Sequence, residues 1–330
     1  MAWSILPGIV LASLIANLGP PLAARASPTV TRAGAQRQAV SSRQRSGLNA
    51  RHALLYVASE ADNTVTIYDL SAIGDPVVQQ ITTGIDSPGN ISLDQNATLY
   101  VANGNTRSVT VYPFGQTSPT LTMSDGMTDP SGVAVTSNGT AYVPGRGSPA
   151  VIDVYPAGAS SPSQVITDPL ISVPSQAIAD SDNNVYVADN ATGVYELAAG
   201  SSQPVSLNLQ ALTGATGIAL DEEKGRLFVS TVGNGNHFLD AYMLGSPDQL
   251  YHVPSVNADT IAFGSRHFDY VFVPDFFGYD LQIYTPRSHK PIGSLSVTYN
   301  PQGVAYKPPH VPKATAARGA PGLGRAARLL

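Results

Sequence analysis

The sequence predicts a six-bladed β-propeller with four antiparallel strands per blade, and three observations carry the prediction. The first is a period. The aromatic of a Leu-Tyr-Val-like step falls at Tyr56, Tyr100, Tyr142, Tyr186, Phe228 and Phe272, at spacings of 44, 42, 44, 42 and 44. The second is an independent marker of the same period, a proline at Pro76, Pro119, Pro162, Pro204, Pro247 and Pro291, at spacings of 43, 43, 42, 43 and 44. A period of about 40–45 residues rich in β-branched and aromatic residues marks propeller blades. Helical repeats would instead space apolar residues at i, i+3, i+4 and i+7, and these runs are too short for that.

The third observation is how the copies sit against the chain ends. The copy at 89–121 shows the unit most clearly, with strands expected near 90–93, 98–102, 108–112 and 120–122. Asp94-Gln95-Asn96 and Gly104-Asn105 separate them, because Asn, Asp and Gly accept the backbone angles of tight turns. The innermost strands read small (Gly132-Val133-Ala134, Gly217-Ile218-Ala219, Gly303-Val304-Ala305), as crowding around an axis requires. Inner strands begin near Ile91, Val133, Ala177, Ile218, Ile261 and Val304, whereas second strands begin near Leu54. The first copy therefore lacks an inner strand, and 303–306 has no blade of its own. Placing 303–306 in blade one closes the ring and pairs two open edges.

Composition bounds the rest. The chain has 330 residues, 43% of them apolar, and no cysteine, so neither a disulfide nor thiol chemistry is available. The repeats span 53–306 as a single all-β domain. Residues 5–18 form an apolar run too short to span a bilayer comfortably. Ala24-Arg25-Ala26 follows, so 1–26 reads as a secretory signal cleaved before Ser27, the alternative being an uncleaved anchor. A secreted or periplasmic location follows from that reading. Residues 53–306 hold all 23 Asp and Glu but seven of the 18 Lys and Arg. The stretches 27–52 and 307–330 carry ten of the remaining eleven, all but Arg25, and read as disordered arms, either solvated tethers or contacts to an anionic surface or membrane. An acidic ring argues against nucleic acid as a partner, because phosphate neutralisation needs a basic footprint.

Strand order places the loops between second and third strands beside the blade-to-blade connections, on one face. That face carries Arg146 from blade three, a long insert 233–238 with His237 and Phe238 from blade five, and Phe276, Phe277 and Tyr279 from blade six. Aromatic clusters in loops mark binding surfaces. The same rings could instead plug the channel mouth.

Leu-Tyr-Val-Ala-Asn at 99–103 followed by Val-Thr-Val-Tyr-Pro at 109–113 resembles the NHL-repeat and YVTN-type propellers of exported bacterial proteins, over 53–306. Those motifs specify blades, not an activity. The blade count more distantly resembles the gluconolactonase, paraoxonase and strictosidine-synthase-like group. That resemblance implies calcium or another divalent ion on the axis, held by Glu, Asn and Asp. Here Asn103, Asp189, Asp259 and Asp275 are the matching oxygen donors, while the family's Pro-Asn-Gly before an inner strand is replaced at every copy. The alternative for these four is that they cap strand ends.

There is no His-Glu-x-x-His, Gly-x-Ser-x-Gly or phosphate loop. The expected function is therefore an exported, non-catalytic propeller binding a protein, peptide or glycan on this face. The alternatives are a metal-dependent lactonase or esterase and a structural envelope component.

Overall fold

The computed structural model describes residues 48–309 except 213 and 265–267. The expected signal peptide (1–26), most of the basic linker and the tail beyond 309 lie outside the described residues, as does His267. Six four-stranded antiparallel sheets make up the described chain, as the period predicts. Five are built from consecutive strands. The first is composite: Pro301–Lys307 pairs with Leu54–Ser59, ahead of Thr64–Asp69 and Val77–Ile81. The register sets Leu55 opposite Tyr306 and Val57 opposite Val304. The closing strand is thus the one expected at 303–306, longer by two residues before and one after.

Lys307 ends that strand and is buried. Its Nζ donates to the carbonyls of Ala50 (2.8 Å), His52 (3.0 Å) and Pro308 (3.0 Å), and it lies 5.6 Å from the centre of the Phe114 ring. Burial lowers its pKa from the ordinary lysine value. Residues 48–52, which composition assigns to the linker, are part of this packing. Leu48 lies against the apolar cluster shared by blades one and two, and His52 Nδ1 pairs with Asp69 Oδ2 at 2.6 Å.

The axis is where the sequence is most constrained. In blades two, four, five and one the inner strand starts at Pro88, Pro174, Ala215 and Pro301, three residues ahead of the expected starts. Each carries a register shift there, a β-bulge that re-aims the residues beside it. The residues just before Ile91, Val133, Ala177, Ile218, Ile261 and Val304 are Asn90, Gly132, Gln176, Gly217, Thr260 and Gly303. Polar side chains and glycines alternate around the ring. A Cβ on Gly132 would meet Asn90 Nδ2 at 3.1 Å, one on Gly217 the Thr260 backbone at 2.8 Å, and one on Gly303 the Gly89 carbonyl at 2.5 Å.

Hydrogen bonds run between blades as well as within them. Gln176 Oε1 accepts from Ile218 N (2.8 Å) and Ile261 N (3.2 Å), and its Nε2 donates to Ile261 O. One buried amide therefore joins blades four, five and six. The hydroxyls of Ser175, Thr216 and Thr260 each donate to a carbonyl about one repeat onward: Ala215, Ala258 and Gln302. Farther from the axis, the hydroxyls of Tyr112, Tyr155, Tyr242 and Tyr284 donate back to Thr83, Asp125, Gln210 and Pro254.

Two residues before those tyrosines, the third strands bury Thr110, Asp153 and Asp240. Asp240 is satisfied by Thr231 Oγ1, Gln249 Nε2 and His252 Nδ1. Asp153 is not: its Oδ2 has no partner, and burial pushes its pKa up to about 6. An aspartate that holds its proton more tightly folded than unfolded contributes no penalty below pH 4. The penalty grows as pH rises towards 6 and is constant above. Asp153→Thr, the residue blade two uses, should therefore stabilise the protein at pH 7.5 by on the order of 1–2 kcal/mol and by less at pH 4.5. Thermal melts at the two pH values check this, and a loss of stability at pH 7.5 would contradict it. Gly303→Ala should destabilise by roughly 1–3 kcal/mol through overpacking, whereas Gly293→Ala, with nothing within 4 Å of its would-be Cβ, should leave the midpoint unchanged.

Candidate functional site

Six equivalent backbone hydrogen bonds define one face of the ring. Each joins the hairpin between second and third strands to the connection entering its blade: Glu60 N to Asn300 O, Gly104 N to Ser87 O, Arg146 N to Asp129 O, Asn190 N to Val173 O, Val232 N to Gly214 O, and Phe276 N to Asn257 O. Loops and connections share that face, as the strand order predicts.

At its centre a cavity of about 110 Å³ opens over the inner-strand starts. Its charged lining is Glu60, Asp129, Asp259 and Arg146, with Ser131, Ser175 and Gln302 between them and Asn90 below. Arg146 is held to one side because its Nε donates to Pro174 O (3.2 Å). Glu60 accepts one hydrogen bond on each oxygen, from Ser87 Oγ (3.0 Å) and Gln302 Nε2 (2.9 Å). Burial raises the Asp259 pKa, Arg146 and His237 oppose the rise, and the Glu60 charge adds to it. Asn90 is 2% exposed, and neither its Oδ1 nor its Nδ2 has a hydrogen-bond partner.

Beside the mouth stands an aromatic shoulder. Phe277 is 67% exposed, Tyr279 66% and Tyr299 39%. Phe276 and Phe277 meet edge to face with centroids 4.7 Å apart, and Tyr279 lies 4.8 Å from Tyr299. Backbone bonds Val297 N to Tyr279 O and Asn300 N to Gly278 O fasten the two segments together. The chain links the shoulder segments to residues of the mouth at two points. Tyr299 lies three residues before Gln302, and Phe276 N is bonded to Asn257, two residues before Asp259.

The expected long insert of blade five is instead a tight hairpin. Asn234 (φ 51°) and Gly235 (φ 76°) form a two-residue turn, and the flanking strands, Arg226–Gly233 and Asn236–Met243, run eight residues each. Asn-Gly takes the two left-handed positions that suit the twist of paired strands. His237 and Phe238 are therefore strand residues, paired with Val232 and Thr231, and point to opposite faces of their sheet. His237 is close enough for its charge to reach Asp259. Phe238 stacks on His252 at 4.0 Å. The structure brings together Arg146 and Asp259 at the mouth, and Phe276, Phe277 and Tyr279 on the shoulder. Phe238 belongs to neither group.

The four oxygen donors considered for a metal do not converge. Asn103 Oδ1 accepts from Asp86 N, and its Nδ2 donates to Val101 O and Thr110 Oγ1. Asp189 accepts four backbone N–H groups, from Ser172, Val173, Ala191 and Thr192. Both cap loops. Asp275 accepts from Phe277 N in its own loop, and Asp259 alone lines the mouth. Among the described residues no group of three His, Asp or Glu side chains is placed to hold a metal ion.

Fold and mouth together define a six-bladed β-propeller with a polar axial cavity on one face. No protein-family model matches the chain, and no curated protein matches it. Among solved structures it is similar to a chain in the crystal structure of a nidogen/laminin complex, with a TM-score of 0.65 and 12% identity, over 77% of this chain and 98% of that one. At that identity the likeness is one of fold.

Proposed function

We propose that this propeller is an exported binding scaffold that docks a protein partner on the face carrying the mouth and the aromatic shoulder. The observation that carries the reading is the exposure of Phe277, Tyr279 and Tyr299 on the face that carries a charged, partly enclosed cavity. Exposed aromatics gathered around a pocket are what interface anchors are made of. Two further points support it: the structurally similar chain comes from a protein–protein complex, and the repeat motifs resemble exported propellers. The apolar run at 5–18 and Ala24-Arg25-Ala26 support the export. The metal-dependent lactonase reading has less support, since Asn103 and Asp189 are committed to their loops.

The test places a photo-crosslinking phenylalanine analogue at position 277 of the full chain in its native host, and in a second variant at position 73. Ile73 is fully exposed in the turn between Asp69 and Val77, on the opposite face. A discrete protein adduct is expected at 277 and not at 73, and unlabelled propeller should compete it away. No adduct at 277, or the same adducts from both positions, would overturn the docking face.

A further inference from the structure

We propose that the channel mouth is a receptor for a guanidinium group, presented by an arginine side chain of the partner that docks on this face. The inference rests on that docking reading and adds the chemistry that the mouth selects.

Charge comes first. Three carboxylates, Glu60, Asp129 and Asp259, line the cavity against one guanidinium, Arg146. Arg146 forms no ion pair with any described residue, and its Nε is tied to Pro174 O. The four ion pairs among the described residues lie elsewhere, so no described cation lies within bonding distance of Glu60 or Asp259. Asp259 receives no hydrogen bond from any described residue, although it is half-buried. Half-burial already disfavours the charged form of Asp259, and a cation arriving in the cavity would offset that cost.

The second observation is independent of charge. Asn90 stands at the floor of the same cavity, 98% buried, with both amide atoms unpartnered. Buried amides are normally satisfied, and the neighbouring axial amide of Gln176 makes three hydrogen bonds. Asn90 belongs to the same ring of positions as Gln176 and lines the mouth, but makes none of the hydrogen bonds that Gln176 makes. Its Oδ1 is an acceptor of the kind a guanidinium seeks.

The size and geometry then favour arginine. A guanidinium carries five N–H donors in a flat fork. Asp259, Glu60 and Asn90 line one cavity of about 110 Å³, which offers such a fork two carboxylates and an amide oxygen. The shoulder of Phe277, Tyr279 and Tyr299 would hold the residues flanking that arginine.

The probe is L-argininamide, titrated into the full chain and read by calorimetry, with L-norleucinamide and calcium chloride as comparisons. Saturable millimolar binding of argininamide alone is expected. Asp259→Asn and Glu60→Gln should each weaken it roughly tenfold or more. Asn90→Ala should weaken it several-fold while leaving the melting temperature equal or higher, because the amide it removes is unsatisfied. Ile73→Ser, on the opposite face, should leave it unchanged. Failure of argininamide to saturate, equal binding of norleucinamide, or binding of calcium alone would overturn the proposal. Argininamide binding without an adduct at 277 would sink the docking reading alone. An adduct at 277 that persists unweakened in Asp259→Asn would sink this proposal alone.

Discussion

Six inner strands meet on one axis, and that meeting leaves room for side chains at every second position only. Gly132, Gly217 and Gly303 yield the space that Asn90, Gln176 and Thr260 occupy; the distances leave no place for a methyl group at Gly217 and Gly303 and only a tight one at Gly132. The rest of the ring depends on this alternation. It lets the strands approach closely enough for Gln176 to join three blades and for the serine and threonine hydroxyls to reach the next repeat. Closure completes the constraint. The last strand, Pro301–Lys307, brings Gly303 into the ring and Lys307 under the first turn of the described chain, so the axis is complete only when both ends of the propeller have met.

The same alternation explains why the candidate site is where it is. A ring of large side chains would fill the axis, and a ring of small ones would leave an open channel. Three polar residues among three glycines give a floor, and on the face where the connections enter, that floor is polar. Gln176 is consumed by inter-blade hydrogen bonds and Thr260 by the Gln302 carbonyl, which leaves Asn90 as the polar group of the ring without a partner. The equivalent backbone bonds between hairpins and connections then fix what surrounds it, Glu60 through Asn300 and the aromatic loop through Asn257.

The blades were legible in the sequence because their signals are local and repeated: a buried aromatic, a closing proline and turn residues at a constant period. Closure was legible by counting, since a strand without a blade had to meet a blade without a strand. The site was legible only in part. Arg146, Phe276, Phe277 and Tyr279 show themselves as charge or aromatics in loops, and Asp259 as an acid at an inner-strand start. Asn90 does not, because a comparison keyed to Pro-Asn-Gly stops at Gly89, one residue short, and the β-bulge that aims it has no sequence mark. Glu60 and Gln302 meet across 242 residues, a distance no local pattern spans. Tyr299 looks like an ordinary connector residue until Tyr279 is placed beside it. Blade five shows the opposite case: Asn234-Gly235 is a hairpin turn signal, and reading it as one puts His237 and Phe238 on strands.

The central claim is that the axis ends in an unsatisfied polar mouth built to receive a cationic side chain. Diffraction from crystals grown with L-argininamide tests it most directly. The account predicts a flat guanidinium within hydrogen-bonding distance of Asn90 Oδ1 and the Asp259 carboxylate, with the inner-strand ring unmoved. A mouth in which the Asn90 amide is turned into the protein and satisfied there, with the guanidinium bound elsewhere or nowhere, would contradict it.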